Sequence, residues 1–208
     1  MSIRRATGAI AFAALAGTSQ AAIINSGFDA TVIAAPASSA LGALESTTQA
    51  WAFNEVTNFT LATNLPVNAT TPGTYTSNAS LTPGVIPAGT VVNSHYLYSD
   101  PVGSAPGNYE GFLEFDAPIL GIVVLRADLN STDFLGAPAT IYADNAARGM
   151  ELSANEAFTI TITQQRINFR FNTTSATDDI RVITAVPAPG AAGLLGFGGL
   201  VMIRRKRA

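Results

Sequence analysis

The chain has 208 residues, no cysteine, one histidine and a net charge of −3. The missing thiols exclude a disulfide framework and thiol catalysis, and the lone His95 leaves too few nitrogen or sulfur ligands for a zinc site. Six of the eleven basic residues lie at the two ends, so residues 22–185 set five arginines against all fourteen acids, a balance of −9 that disfavours nucleic acid and anionic lipid.

In chain order, residues 1–21 read as a secretory signal peptide. Arg4 and Arg5 form its positive start, Ala9 to Ala16 its short apolar run, and Ser19-Gln20-Ala21 the small residues before a cleavage between Ala21 and Ala22. Roughly 160 residues follow, enough for one domain with its own core. Short runs rich in Thr, Val, Ile, Phe and Tyr, with little 3.6-residue periodicity, predict strands. Ile23 to Phe28 and Thr31 to Ala35 are expected to pair around Asp29-Ala30, and Pro36 to Thr48 to be a loop. Trp51 to Leu61 alternates as one half-buried strand, with Trp51, Phe53, Thr57 and Phe59 on one side. Asn64 to Thr90, with four prolines and three glycines, is turns and short strands at most.

Val91 to Ser99 is a strand centred on His95-Tyr96-Leu97-Tyr98. Tyr109 to Asp116 alternates with Gly111, Leu113 and Phe115 inward, and Glu110, Phe112, Glu114 and Asp116 outward. Ile119 to Leu125 is apolar throughout, as in a strand buried on both faces. Ser131 to Gly136 reads as one helical turn with a serine cap and a glycine stop. Thr140 to Ala143 and Met150 to Leu152 are short extended pieces. Ala157 to Thr163 and Arg166 to Asn172 form a hairpin about Gln164-Gln165, and Asp179 to Thr184 is the closing strand. About nine to eleven short strands with turns every eight to twelve residues predict an all-β fold, a single jelly-roll-like β-sandwich over residues 22–184.

The end of the chain follows a different rule. Val186-Pro187-Ala188-Pro189 leads into Gly190 to Ile203 without a charge, then Arg204, Arg205, Lys206 and Arg207. Fourteen helical residues span about 21 Å, short of a ~30 Å hydrocarbon core, but neighbouring apolar residues and snorkelling arginines extend the reach. A transmembrane helix over about 189–204 is expected, with the 204–207 basic cluster on the cytoplasmic side and the sandwich outside.

The tail over residues 185–208 resembles the PEP-CTERM sorting tail of exported bacterial proteins, with Ala188 where that family usually has glutamate. The resemblance implies recognition by an exosortase-type membrane transpeptidase and a destination in the envelope or extracellular matrix, often near exopolysaccharide. It implies nothing about the activity of the cargo, and Ala188 removes a carboxylate that a processing enzyme would read.

Within residues 22–184 the candidate chemistry is sparse. Glu114 and Asp116 stand at i, i+2 on one strand, and paired carboxylates serve glycoside hydrolysis. They resemble the Glu-x-Asp-x-x-Glu strand of laminarinase-like jelly rolls, but the third acid position is Ile119 and Pro118 interrupts, so solvated acids are the expectation. Asp128-x-Asn130-x-Thr132 begins like a calcium loop yet has Asp133 and Ala139 where glycine and glutamate belong, which excludes an EF-hand. Asp178 and Asp179, with Glu110 or Asp100, are the candidate ligands for a structural calcium; no other cofactor is expected. Trp51, Tyr96, Tyr98 and Tyr109 are a candidate sugar-stacking platform that suits a sandwich core equally well. His95 is expected to be a packed strand histidine, since no Gly-x-Ser-x-Gly elbow accompanies it. The sequence thus predicts a non-enzymatic, exported envelope or matrix protein, single-pass in the membrane unless its tail is processed. A carbohydrate-binding module for envelope polysaccharide is the alternative, and a glycoside hydrolase the second.

Overall fold

The computed structural model describes residues 22–143 and 148–186. Thirteen strands run through them: β1 (Ile23–Phe28), β2 (Ala30–Val32), β3 (Ala50–Asn54), β4 (Phe59–Thr60), β5 (Leu65–Val67), β6 (Gly73–Tyr75), β7 (Gly84–Ile86), β8 (Val91–Ser99), β9 (Gly107–Phe115), β10 (Ile119–Val123), β11 (Ala157–Ile160), β12 (Arg166–Thr173) and β13 (Asp179–Ala185). One short helix, α1 (Arg126–Ser131), and two 3-10 turns, Asn78–Ser80 and Asp133–Leu135, complete the elements. The all-β prediction is correct.

The strands form two large sheets. One is antiparallel with order β1-β9-β12-β11-β6. The other has order β10-β13-β8-β3-β2, with β4 beside β8 and β2 parallel to β3. Leu113, Phe115, Phe158, Ile167, Phe169 and Phe171 of the first sheet share one apolar cluster with Ala52, Leu97, Ile122, Ile180 and Val182 of the second. That shared core follows from period-two alternation: β12 buries Ile167, Phe169, Phe171 and Thr173 and leaves Arg166, Asn168, Arg170 and Asn172 outward.

The second sheet is covered on its other side as well. Phe53, Val92, Tyr96, Tyr98, Val123 and Ile183 pack there with Leu65, Val67 and Ile86 of the β5–β7 pair and with Leu129 of α1 and Leu135. Burial on both faces explains why β8 and β13 are almost entirely inaccessible. The first sheet keeps its outer face in solvent, and this asymmetry decides where a large ligand has access.

Several expectations need correction. β1 and β2 do not form a hairpin; β1 pairs with β9 and β2 with β3, in different sheets. The Trp51–Leu61 strand is broken into β3 and β4, where Asn58 takes a left-handed backbone (φ 53) and donates its N–H to Asn93 Oδ1 at 2.8 Å. The helical turn expected in Ser131–Gly136 is the 3-10 turn Asp133–Leu135, stopped at Gly136 but preceded by Thr132 with no side-chain cap, and the unpredicted α1 runs just before it. Residues 140–143 make only an isolated bridge, Ser38 with Ile141, and 150–152 form no strand. Among the described residues no helix is long and apolar enough to cross a membrane. The signal peptide and cleavage point at Ala21, the motif residues Pro187, Ala188 and Pro189, the 189–204 span and the basic cluster lie outside the described residues.

Candidate functional site

The predicted sugar platform is not on the surface. Tyr96, Tyr98 and Tyr109 are 0% exposed. Tyr96 and Tyr98 project from β8 into the covered side of the second sheet, while Tyr109 projects from β9 into the shared core and donates its hydroxyl to Ser46 O at 2.6 Å. Trp51 is half-buried, its indole N–H bound to Leu44 O at 2.7 Å. The three tyrosines offer no face for stacking on a sugar, and Trp51 is only partly accessible.

The accessible aromatic ring on the outer face of the first sheet is Phe28, with the half-buried Phe112 beside it. Phe28 ends β1 with a left-handed backbone (φ 58) and is 83% exposed, a conformation rare for a bulky side chain and one that marks a constrained position. Its ring meets Phe112 of β9 edge-on at 6.0 Å. A Cβ on Gly27 would sit 2.5 Å from the Phe112 ring, so only glycine lets that ring lie across β1. The Arg166 guanidinium covers Phe112 at 3.6 Å from the ring centre. Next to this pair runs a groove of about 580 Å³ lined by Phe28, Asp29, Asn108, Glu110, Asn168 and Arg170. Arg170 and Glu110, a cross-strand pair, both line it. Glu110, proposed from sequence as a calcium ligand, is thus a groove residue.

The proposed glycosidase carboxylates are engaged elsewhere. Glu114 accepts from Arg166 at 3.1 Å and from Asn25 at 2.9 Å, and Asp116 accepts the Ala22 N–H at 3.1 Å. His95 is a packed strand histidine. Its Nδ1 faces Asn54 Oδ1 at 2.7 Å, its Nε2 faces Thr184 Oγ1 at 3.0 Å, and burial pulls its pKa down to about 3, so the ring is neutral. Asp100 is fully buried and accepts the Gly42 and Leu44 N–H groups at 2.8 Å each, tying down the Pro36–Thr48 loop. Asp128 sits in α1 and accepts from Asn68 Nδ2 at 2.6 Å; it does not open a calcium loop.

Two buried arginines occupy the covered side of the second sheet. Arg181 of β13 stands opposite Tyr96 and forks onto Glu55, 2.8 and 2.9 Å, with both side chains 0% exposed. It also donates to Leu129 O, Thr132 Oγ1 and Asp133 Oδ1. Arg148 binds both oxygens of Asp133 and reaches Asn130 Oδ1 and the Tyr96 hydroxyl. Burial alone would lower the Arg181 pKa, but the Glu55 carboxylate, with Tyr96 and Asp133, outweighs it and holds the guanidinium charged. Asp179, proposed as a calcium ligand, belongs to this network. It accepts from Tyr96 Oη, Thr177 Oγ1 and the Gly149 N–H, which leaves it no free role in ligation.

Asp178 is placed differently. Its carboxylate gathers with those of Glu151 and Glu156, all three offering oxygens within 4.8 Å of one another. Asp178 is 1% and Glu156 9% exposed, and Asp178 Oδ2 and Glu156 Oε2 have no hydrogen-bond partner among the described residues. Burial, reinforced by Glu156 and Asp179, pushes the Asp178 carboxyl up to about 9; burial and Glu151 push Glu156 up to about 7. Of the calcium ligands expected from sequence, only Asp178 is in this group. Glu151 and Glu156 carry no spacing signal, because a loop 22 or more residues away in sequence brings them in. Comparison of the chain with protein-family models, with curated proteins and with solved structures gives no match.

Proposed function

We propose that this chain is a non-enzymatic, exported protein of the cell envelope or extracellular matrix, a jelly-roll-like sandwich displayed by its sorting tail. The observation that carries the reading is the junction between domain and tail. β13 lies between β10 and β8 and ends at Ala185, whose N–H is bound to Pro118 O at 2.8 Å and whose carbonyl accepts from Asn93. Val186 and the Pro-Ala-Pro segment follow at once, then the uncharged run and the basic cluster. In sequence, therefore, no linker separates the end of the last strand from the start of the sorting motif. The acidic balance of residues 22–185 suits a displayed or released surface protein, since it limits non-specific binding to nucleic acid and anionic headgroups. Cell fractionation with an antibody to the sandwich tests this. The chain belongs in the envelope or outside the cell, and deletion of residues 187–208 should release it to the exported soluble fraction. A wild-type chain confined to the cytosol overturns the reading.

Carbohydrate binding is the second reading, favoured by the groove beside Phe28 rather than by the aromatic residues singled out from sequence. A sugar C–H face can stack on the exposed Phe28 ring, and Asn108, Glu110, Asn168 and Arg170 bring amide, carboxylate and guanidinium groups to the same face. Retardation of the full chain in affinity gels cast with envelope polysaccharide tests it; equal mobility across neutral and acidic glycans contradicts it.

A further inference from the structure

We infer that Glu151, Glu156 and Asp178 form a calcium site that clamps the 148–156 loop to the start of β13. The three carboxylates lie within 4.8 Å of one another, which fits inside a calcium oxygen shell roughly 4.6–5.2 Å across. The donors are all hard carboxylate oxygens with no nitrogen or sulfur, the set that selects calcium over zinc or copper.

A cluster of acids on a surface needs no ion, because water solvates each member. Here water is largely excluded. Asp178 is 1% and Glu156 9% exposed, yet each keeps an oxygen without a hydrogen-bond partner among the described residues. Buried polar atoms are almost always partnered, and two orphaned carboxylate oxygens beside each other call for a common partner that is positive. Neither buried arginine serves. Arg148 and Arg181 are taken up by Asp133, Glu55, Asn130 and Thr132. Glu151 is exposed and gives the ion its access from solvent.

The site also has a structural purpose. Asp179, next to Asp178, receives the Gly149 N–H and the Tyr96 hydroxyl, so the same short stretch of β13 ties the loop to the buried network. An ion on Asp178 would fasten the loop's far end at Glu151 and Glu156. Three carboxylates supply three of the six to eight oxygens calcium takes, and main-chain carbonyls and water would supply the rest. This inference is independent of where the protein is sorted and of what the groove binds.

The test is thermal unfolding of the full chain in mild detergent at pH 7.5, after chelation and then with calcium chloride added. Extracellular modules bind calcium at 10⁻⁴–10⁻³ M, so about 10 mM should raise the Tm by roughly 3–10 °C. Magnesium at equal concentration should do much less. Asp178→Asn should abolish the calcium response while folding at least as well as the calcium-free wild type, since the amide is nearly isosteric and puts no charge into the interior. Glu151→Gln, at an exposed position where folding is not at stake, should weaken calcium affinity at least tenfold. A wild-type chain indifferent to calcium, a response retained by Asp178→Asn, or an equal response to magnesium overturns the assignment. The first of these results would mean that the carboxylates share protons instead.

Discussion

Replacing Arg181 by methionine removes five hydrogen bonds from the interior at little change in length. Two go to Glu55, at 2.8 and 2.9 Å, and the others to Leu129 O, Thr132 Oγ1 and Asp133 Oδ1 at 2.7–3.0 Å. Asp133 keeps its fork from Arg148, and its side chain is 35% exposed, so it tolerates the loss. Glu55 does not, because its carboxylate is 0% exposed and, with the guanidinium gone, keeps only neutral hydroxyl donors such as Ser94 and Tyr142. Breaking a buried pair from one side typically costs about 3–5 kcal/mol, through the stranded charge rather than the lost attraction. For a domain of this size that is a fall in Tm of roughly 6–20 °C. Adding Glu55→Gln to Arg181→Met should then recover stability, since the stranded carboxylate is gone. The assay is thermal and urea unfolding of the wild type, both single variants and the double variant. A loss below about 1 kcal/mol for Arg181→Met, or no recovery in the double variant, would refute the claim that this pair is dry and mutually dependent.

Three further outcomes follow from the same contacts. His95 has a folded pKa of about 3 against about 6.5 unfolded, so its contribution is complete above pH 6.5 and is lost as pH falls toward 3. The slope is at most about 1.4 kcal/mol per pH unit, and His95→Gln, measured by urea unfolding across that window, should remove it. Phe28→Gly should leave stability unchanged or raise it, because glycine accepts the left-handed backbone and an 83% exposed ring loses little burial, while any glycan retardation should disappear. Gly111→Ala would place a Cβ 2.8 Å from Gly27 O and from the Phe169 ring, and should cost about 1–3 kcal/mol in thermal unfolding by forcing β9 away from β1.

What the sequence disclosed was local. Val91–Ser99 coincides with β8, and the alternation in Tyr109–Asp116 places Glu110, Phe112 and Glu114 outward as found, because period two fixes the face of every residue in a strand. The same phase counts Tyr109 with Gly111 and Leu113, so its burial was readable, and the sugar platform was wrong at that residue on the sequence's own terms. Tyr96 and Tyr98 were harder, since β8 is covered on both faces and alternation then carries no contrast. Arg181 within Ile180, Val182 and Ile183 was a signal of a buried ion pair, but its partner Glu55 lies 126 residues away. The groove and the carboxylate group depend on pairings of that kind, β1 with β9 and the 148–156 loop with β13, which composition and periodicity do not encode.

Export and sorting are read from mass spectrometry of both chain ends, on protein recovered from the envelope and medium of the producing cell. A C-terminus at Arg207-Ala208 in the membrane fraction would identify a simple anchor, and one near Pro187 a processed sorting signal despite Ala188. In either case the mature N-terminus should be Ala22, outside the cytosol. A chain that keeps Met1 and is recovered from the cytosol would contradict it.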